Sequence, residues 1–439
     1  MCEVIDLQLK PNIMKALFSV IFIISLSLNI SAQWISKPSG TTNQIRTVHF
    51  TDSNTGWIAG LDGLIKKSYD GGETWVNTGY HGASANRWYD IFAINTNDVY
   101  AVGSTYNVDR WQTNYGLTVN SGTTWIFQSS WGSANGSVKQ VFFLNENLGW
   151  KVGYQAPSGR LWRTTGGIDG WTDYYSLDHN PYSVYFIDEN KGWISCQDGF
   201  VLKSTDGGEN WTSIETGFTE SLTSVYFMSS SLGWAVGYAS DIGVIIKTTD
   251  GGSTWYQVEH PETLSLHSIQ FVNENIGWAC GSKLHNSEER GVILYTNDGG
   301  ENWSEQYVSD QLSVLFSLFF IDGLTGWAAG YDGIIVKTVN AGGTSFEGID
   351  ESSDKHLESY SYPNPSSTNT TIKYSLKQPE IVTVTFYNYL GNPIRFIQKE
   401  QSYGNQHITL DLEDLAAGIY YYSLVAGEYK SSGKIVVCR

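Results

Sequence analysis

The stretch Phe227–Trp255, FMSSSLGWAVGYASDIGVIIKTTDGGSTW, contains the pattern that decides the fold. A short apolar segment, the segment GWAVG and the segment GVIIKTT are separated by turn-forming residues, and the stretch ends in DGGSTW. Short apolar and β-branched runs bounded by glycine and small polar residues are typical of antiparallel strands joined by tight turns. The stretch therefore predicts most of one small antiparallel sheet.

The same pattern recurs along most of the chain. Its Gly-Trp segment, or a variant of it, stands at TGWIAG (Trp57), DVYAVG (Tyr100), LGWKVG (Trp150), KGWISC (Trp193), LGWAVG (Trp234), IGWACG (Trp278) and TGWAAG (Trp327). Successive copies are 43, 50, 43, 41, 44 and 49 residues apart. A repeat of about 40–50 residues with four strand-like segments is the mark of a propeller blade. We predict an all-β chain, with a seven-bladed β-propeller over residues 33–346.

A second signature follows each Gly-Trp segment. It reads SYDGGETW (Ser68–Trp75), TVNSGTTW (Thr118–Trp125), TTGGIDGW (Thr164–Trp171), STDGGENW (Ser204–Trp211), TTDGGSTW (Thr248–Trp255), TNDGGENW (Thr296–Trp303) and TVNAGGTSF (Thr338–Phe346). Aspartate, serine and threonine side chains accept backbone N–H bonds, and glycine permits the positive φ of a tight hairpin. We predict structural rather than metal-binding roles for the acids and tryptophans of the four intact copies: Asp70, Asp206, Asp250, Asp298, Trp75, Trp211, Trp255 and Trp303.

The seventh copy lacks the tryptophan of the second signature. Near the other end of the propeller, residues Gln33–Gly40, QWISKPSG, are similar to the outermost strand of other copies, such as NWTSIETG. A blade cannot bury both faces alone, and an open sheet edge is a liability. We therefore predict that Gln33–Gly40 completes the seventh blade and closes the ring.

Charge and the N-terminus limit the function classes. The 439 residues carry a net charge of −18, which argues against nucleic acid as a partner because too few cations remain to neutralise phosphates. Lys15 precedes the apolar run ALFSVIFIISLSLNI, which ends at Ala32. A basic start, a short apolar core and a small-residue exit predict a signal peptide over residues 1–32, with Met14 as a suitable start. The run is too short for a membrane span, so we expect no transmembrane segment in the mature chain.

The repeat pattern stops after about Phe346. Residues 347–360 are polar and acidic, which predicts a linker. Residues 361–439 alternate apolar and polar side chains over several short segments. This pattern predicts a small C-terminal β-sandwich.

Six Gly-Trp segments and four intact second signatures resemble the Asp-box, or bacterial neuraminidase repeat, superfamily of propellers. Within that superfamily, the combination of Gly-Trp-Ala-x-Gly with Asp-Gly-Gly-x-Thr-Trp looks most like the photosystem II stability/assembly factor family. The resemblance implies the propeller fold and, as one functional alternative, an assembly-factor-like role. Members of that family in phototrophs bind a reaction-centre precursor through a basic patch.

The tail carries a second resemblance. Its segments Tyr362–Pro365 (YPNP), Val384–Asn388 (VTFYN) and Leu415–Tyr420 (LAAGIY) stand in the order found in the type A C-terminal sorting domain of type IX secretion systems of Bacteroidetes-like bacteria. The resemblance implies export across the outer membrane, with the type IX machinery as a partner. The mature protein is then expected at the cell surface or in the medium.

Motifs for common catalytic sets are absent from the sequence: there is no Gly-x-Ser-x-Gly, P-loop or His-Glu-x-x-His pattern. No Cys-x-x-Cys or Cys/His cluster occurs, so we expect no metal or cofactor and interpret Cys196, Cys280 and Cys438 as buried core residues. An exo-glycosidase of the sialidase-like group would need three arginines around one carboxylate, with a tyrosine nucleophile and a glutamate partner. The arginines available for such a triad are Arg46, Arg87, Arg110, Arg160, Arg163 and Arg290.

Tryptophan usage indicates where a ligand could bind. The repeat accounts for twelve of the 17 tryptophans, and the closing strand accounts for Trp34. Trp162 is expected on the third strand of its blade. The remaining three, Trp88, Trp111 and Trp131, fall in connections of the second and third blades. Those connections should share the face opposite the second signatures, and aromatic rings beside arginine suit sugars or peptides. The candidate ligand-binding residues are Arg87, Trp88, Tyr89, Tyr106, Arg110, Trp111, Tyr115, Trp131 and Tyr182. The alternative is that these connections bury their aromatic side chains in their own packing.

The leading hypothesis is a secreted or cell-surface, non-enzymatic propeller that binds a protein or a glycan through its second and third blades. The alternatives are an exo-glycosidase of the sialidase-like Asp-box group and a photosystem II assembly factor-like protein.

Overall fold

The computed structural model describes residues 34–438, apart from residues 79–84, 108–109, 130–134, 169, 220, 343–356, 358, 388–392, 414, 416–417 and 428. The described residues form nine antiparallel sheets and two short 3-10 turns, Gln197–Gly199 and Tyr331–Gly333. The prediction of an all-β chain is confirmed. No helix among these residues is both long and apolar enough to cross a membrane.

Seven four-stranded sheets follow the sequence repeat and are numbered here as blades 1 to 7. Strand β1 (Ile35–Ser36) comes first in the chain but belongs to blade 7. Blades 1 to 3 comprise β2 (Ile45–Phe50), β3 (Gly56–Gly60), β4 (Ile65–Ser68), β5 (Val76–Asn77), β6 (Asn86–Ala93), β7 (Val99–Asn107), β8 (Arg110–Thr118), β9 (Ile126–Ser129), β10 (Gly136–Phe143), β11 (Gly149–Gln155), β12 (Ser158–Thr164) and β13 (Trp171–Leu177). Blades 4 to 7 comprise β14 (Pro181–Phe186), β15 (Gly192–Cys196), β16 (Phe200–Ser204), β17 (Thr212–Glu215), β18 (Ser221–Phe227), β19 (Gly233–Ala239), β20 (Ile242–Thr248), β21 (Tyr256–Gln257), β22 (Ser265–Phe271), β23 (Gly277–His285), β24 (Glu288–Thr296), β25 (Ser304–Leu312), β26 (Leu315–Phe320), β27 (Gly326–Gly330) and β28 (Ile335–Thr338).

The first strand of each blade lies beside the first strands of its two neighbours, so these seven strands surround a central axis. Each blade then meanders outward through its second, third and fourth strands. The second signature forms the hairpin between the third and fourth strands, which is called the signature hairpin below. Because consecutive strands alternate in direction, these hairpins lie on one face of the ring. The hairpins between second and third strands lie on the opposite face, which is called the ligand face.

Blade 5 shows why the Gly-Trp pair recurs. The indole of Trp234 is fully buried and stacks on Phe271 of blade 6, with ring centroids 3.6 Å apart. Its Nε1 donates a hydrogen bond to the carbonyl of Gly299, in the signature hairpin of blade 6, at 3.0 Å. A side chain at Gly233 would meet the ring of Phe227 at 2.5 Å. Burying an indole stabilises the fold by about 2–3 kcal/mol, so each Gly-Trp pair joins one blade to the next.

The same joint recurs around most of the ring. Four further tryptophans stack on the innermost phenylalanine of the following blade with centroids 3.5–3.7 Å apart: Trp150 on Phe186, Trp193 on Phe227, Trp278 on Phe320 and Trp327 on Phe50. Three of them also donate to a signature-hairpin carbonyl of that blade, at Gly207, Gly251 and Gly71.

The ring closes as the sequence predicts. Strand β1 pairs with β28, and Ile35 lies opposite Lys337. The indole nitrogens of Trp34 and Trp278 both donate to Oε1 of Gln306 at 3.0 Å, so the N-terminal segment takes part in the joint between blades 6 and 7. Gln33 itself lies outside the described residues.

Two layers of side chains line the axis. In the polar layer, side chains of one innermost strand accept a backbone N–H from the next strand, as Asp90 does from Val141 at 3.0 Å and Gln140 does from Val184 at 2.6 Å. The second layer is largely aromatic, and the rings of Tyr185 and Tyr226 lie 4.7 Å apart. The aromatic side chains are in contact around the axis, so protein fills it near the signature hairpins. The other end of the axis, where the innermost strands begin at the ligand face, is called the mouth of the axis below.

The C-terminal part forms two sheets around its own core. One has β29 (Ser359–Tyr362), β30 (Asn369–Leu376) and β33 (Gly404–Asp411), and the other has β31 (Glu380–Tyr387), β32 (Pro393–Gln401), β34 (Gly418–Ala426) and β35 (Tyr429–Val437). Ile372, Val384 and Leu424 are fully buried in this core. The predicted β-sandwich is confirmed.

The described cysteines are unpaired, and Cys196 and Cys280 are buried in the propeller as predicted. Cys438 is exposed near the end of the chain, so the prediction of a core role is wrong for that residue.

Candidate functional site

A β-bulge stands near the start of the innermost strand in every blade. The pairing with the second strand skips one residue in each: Arg46, Tyr89, Lys139, Tyr182, Thr223, His267 and Phe316. A bulge turns its unpaired residue away from the ladder and is frequent beside binding sites. All seven side chains are half-buried, and they ring the axis at the ligand face. These residues are called the bulge ring below.

The sequence interpretation placed two members of this ring, Tyr89 and Tyr182, among the candidate ligand-binding residues. It did not place Lys139 or His267 among these candidates, and it named Arg46 only as a possible member of an arginine triad, although the shared position of these residues can be seen in the chain. The innermost segments RTVHF, YDIFA, KQVFF, YSVYF, TSVYF, HSIQF and FSLFF each begin with the bulge residue. Comparing these first letters would have found the ring.

Blade 2 carries a long hairpin on the ligand face. The sequence interpretation placed the unexplained tryptophans of blades 2 and 3 in connections between strands, and Trp111 belongs to the connection between the second and third strands of blade 2. In the structure this region extends β7 and β8 as a paired ribbon in which Tyr106 lies opposite Trp111. Most of this connection is therefore strand rather than loop. Regular strands hold side chains more rigidly than a loop does.

Three candidate residues meet on this ribbon. The Arg87 guanidinium lies 4.1 Å from the centre of the Trp111 ring, and the Tyr106 ring lies 5.0 Å from it. Arg87 is exposed and Tyr106 is 47% exposed. The Trp111 backbone N–H donates to Oδ1 of Asn135 in blade 3 at 3.2 Å, which fixes the ribbon against the neighbouring blade. Arg110 is half-buried at the tip of the same ribbon. This group of Arg87, Tyr106, Arg110 and Trp111 is called the blade 2 cluster.

Two other candidates make packing contacts within the propeller. Trp88 belongs to β6 and is 0% exposed, because the residue before the bulge points into the core between blades 1 and 2. Tyr115 stacks on Tyr100 at 5.5 Å, within the joint between blades 2 and 3. The assignment of Trp88 as a ligand contact is therefore wrong, and Tyr115 has a packing role. Trp131 lies outside the described residues.

The signature hairpins show the turn chemistry of the aspartates. In blade 5, Oδ1 of Asp250 accepts from the backbone N–H of Thr254 at 2.9 Å, and Oδ2 accepts from the Thr254 hydroxyl at 2.7 Å. The Thr248 hydroxyl donates to Asp250 and accepts from the backbone N–H of Gly252, whose φ is +85°. The Thr254 side-chain bond, followed by its backbone bond, lowers the pKa of Asp250 to about 2.

The other intact copies repeat this geometry. Asp70, Asp206 and Asp298 accept the equivalent bonds from Thr74, Asn210 and Asn302. The tryptophans that end these hairpins, Trp75, Trp211, Trp255 and Trp303, stand edge-on to the innermost phenylalanine of their own blade at 5.8–5.9 Å. These acids and tryptophans thus make contacts that hold the hairpin.

The described residues contain no group of three or more His, Cys, Asp or Glu side chains placed to hold a metal ion. Two arginines of the suggested triad are used elsewhere, since Arg163 pairs with Glu209 at 3.5 Å and Arg290 pairs with Glu288. Arg46 and Arg87 lie near enough for Arg87 to lower the pKa of Arg46, although burial is the larger cause.

Fold and site together define a seven-bladed β-propeller with repeated hairpin signatures and an appended C-terminal sandwich. Residues 361–438 match the family described as secretion system C-terminal sorting domain. Residues 170–267 match the family described as photosynthesis system II assembly factor YCF48.

Solved structures with the same fold include YCF48 bound to D1 peptide, with a TM-score of 0.54 and 16% identity, covering 70% of this chain and 97% of that one. YCF48 from Cyanidioschyzon merolae has a TM-score of 0.54 and 18% identity, covering 70% of this chain and 99% of that one. The GH74 xyloglucanase from Xanthomonas campestris has a TM-score of 0.53 and 10% identity, covering 78% of this chain and 59% of that one. At these identities the likeness concerns the fold. No curated protein matches the chain.

Proposed function

We propose that this protein is a secreted or cell-surface, non-enzymatic propeller that binds a protein or glycan partner through the ligand face of blade 2. The blade 2 cluster is the observation that carries the proposal. Its arginine, tryptophan and tyrosine side chains stand in mutual contact on a paired ribbon and remain partly exposed. Side chains of these types are enriched at the centres of binding interfaces.

The match of the tail to secretion-system sorting domains supports export, with the secretion machinery as one partner. We infer that the predicted signal peptide takes the chain across the inner membrane and that residues 361–439 direct it onward. The likeness to a YCF48 propeller bound to D1 peptide supports including extended peptides among the partners to be screened.

The test is a binding screen of the purified chain against immobilised glycans, peptides and cell-surface proteins. Trp111→Ala and Arg87→Gln should each weaken binding of the best ligand by about tenfold or more, because both remove an interface anchor. Tyr69→Ala is the control, since Tyr69 is an exposed aromatic residue, 62% accessible, on a signature hairpin at the opposite face of the ring. Equal losses in all three variants would contradict the proposal, and so would hydrolysis of a glycan in the screen.

A further inference from the structure

The bulge ring contains two cations, Arg46 and Lys139, that have no counter-charge among the described residues. Among the described residues, neither Arg46 nor Lys139 has an ion-pair or hydrogen-bond partner. Arg46 Nε is cut off from solvent without a hydrogen-bond partner in the described part of the chain. A cation in such a place costs free energy unless it is paired.

Aromatic rings hold both cations at the mouth of the axis. The Arg46 guanidinium lies over the Phe316 ring at 4.1 Å, and Lys139 Nζ lies over the Tyr89 ring at 4.6 Å. Tyr89 stands between the two cations because its blade lies between theirs. Cation–π contacts fix the side chains in place but leave their N–H groups free to bond a ligand.

We propose that the mouth of the axis is an anion site. Arg46 and Lys139, which lie on the two sides of Tyr89, bind the carboxylate of an organic ligand there. This site deepens the proposed function and rests on it for the choice of the ligand face. It lies at the axis rather than on the ribbon of blade 2.

Electrostatics at the mouth agree with this assignment. Burial lowers the pKa of Lys139, and the neighbouring Arg46 lowers it further. Burial also lowers the pKa of Arg46, and Arg87 adds to this effect. Within the described part of the chain, the neighbouring groups that act on these two side chains are tyrosines and arginines rather than carboxylates. Asp90, an acid of the polar layer, accepts from the Thr47 hydroxyl and the Val141 backbone N–H.

The surroundings favour an organic carboxylate over an inorganic anion. Guanidinium groups match the planar fork of a carboxylate. The bulge ring also contains the aromatic side chains Tyr89, Tyr182, His267 and Phe316. The ring centroid of Tyr238 lies 5.7 Å from that of His267 and extends this aromatic wall. Such walls bury the apolar body of a ligand, whereas phosphate and sulfate gain nothing from them.

Sodium benzoate is the probe, titrated calorimetrically into the full chain at constant ionic strength. Benzamide is its neutral counterpart, and phosphate and sulfate are the inorganic alternatives. We expect binding of benzoate alone, and a loss of about tenfold or more in Arg46→Gln and Lys139→Gln, because each removes a charged hydrogen bond. Lys191→Gln, a matched change of an exposed cation between β14 and β15, should bind benzoate normally.

Equal binding of benzamide, or an equal loss in Lys191→Gln, would overturn the anion site. Tighter binding of phosphate or sulfate than of benzoate would overturn the carboxylate assignment. Thermal unfolding without ligand gives an independent readout, in which Lys139→Met should melt at or above the wild-type temperature because an unpaired cation is removed. A lower melting temperature would show that Lys139 serves packing. The probe involves no macromolecule, so the proposed function is tested separately by the binding screen.

Discussion

Blades 5 and 2 derive from the same repeat but join their neighbours by different chemistry. Blade 5 uses an indole that stacks on the phenylalanine of the next blade and donates to its signature hairpin. Blade 2 has Tyr100 in place of the tryptophan, and Lys151 of blade 3 donates to its hydroxyl at 2.9 Å. The Lys151 ammonium also lies over the rings of Tyr115 at 4.2 Å and Trp171 at 4.4 Å.

The joint between blades 1 and 2 is altered as well. Ala93 occupies the position of the stacking phenylalanine, and Trp57 Nε1 has no acceptor among the described residues. In the signature hairpin of blade 2, the amide of Asn120 takes the place of the aspartate and bonds Thr124. The blade that departs most from the repeat also carries the ribbon with the blade 2 cluster. The comparison teaches that repeat residues are retained where they close a joint and vary where another contact replaces them.

The largest effect is expected at a regular joint. Trp234→Ala removes a fully buried indole and its hydrogen bond, so the free energy of unfolding should fall by about 3–5 kcal/mol. Urea denaturation followed by circular dichroism measures it. Trp111→Ala is the control, because its ring lies on the ligand face and should cost less than about 1 kcal/mol. Similar losses in both variants would remove the distinction between joint and ligand-face tryptophans.

Lys151→Met tests the joint between blades 2 and 3, in which the contact of Lys151 with Tyr100 takes the place of the stacked tryptophan and phenylalanine. Burial lowers the pKa of Lys151 from 10.5 to about 7. Between these values the unfolded chain holds more protons, so wild-type stability should rise as the pH increases from about 7 toward 10. Methionine removes that slope and should stabilise the protein at neutral pH by about 1–4 kcal/mol, as when buried charges give way to apolar groups. Denaturation at several pH values checks both effects, and a destabilised variant would mean that the ammonium itself holds the joint.

Asp90 gives the opposite pH dependence in the polar layer of the axis. Part of the residue remains accessible, yet desolvation by the surrounding wall raises the pKa of its carboxyl from 3.8 to about 7. The folded protein holds the extra proton between these values, so stability should fall as the pH rises from about 4 to about 7. Asp90→Asn should remove this decline while changing stability at low pH by about 1 kcal/mol or less. An unchanged pH profile in the variant would contradict this role.

The smallest effects are expected in the signature hairpins. Asp250→Asn should cost about 0.5–1.5 kcal/mol at pH 7, because the amide replaces a carboxylate acceptor. The lowered pKa of Asp250 means that its contribution is present above about pH 4 and is lost as the pH falls toward 2. The reverse change, Asn120→Asp, should bring the same acid-sensitive contribution to blade 2. Acid titrations of the melting temperature compare the two, and no change in either would show that the charge is irrelevant to the hairpin.

Much of the fold could be predicted because its signals are local and repeated. The Gly-Trp segments and second signatures recur at blade spacing, and the closing strand was identifiable because Gln33–Gly40 resembles other fourth strands. The candidate site was predicted less well. Counting unexplained tryptophans led to Trp111 correctly as a ligand-face residue but also to Trp88, which faces the core. Successive side chains of a strand point to opposite faces, and a bulge shifts this alternation by one residue, so the face of a given side chain is easily misassigned from the sequence.

The sequence by itself determined the all-β class, the seven blades, the closing strand and the sandwich tail. These follow from residue periodicity and from turn chemistry, which act over a few neighbouring positions. Only the tertiary structure decided which side chains share the mouth of the axis. Arg46 and Phe316 are far apart in the chain yet lie 4.1 Å apart, because closing the ring brings the first and seventh blades together. That proximity depends on ring closure and bulge register, which no single repeat contains.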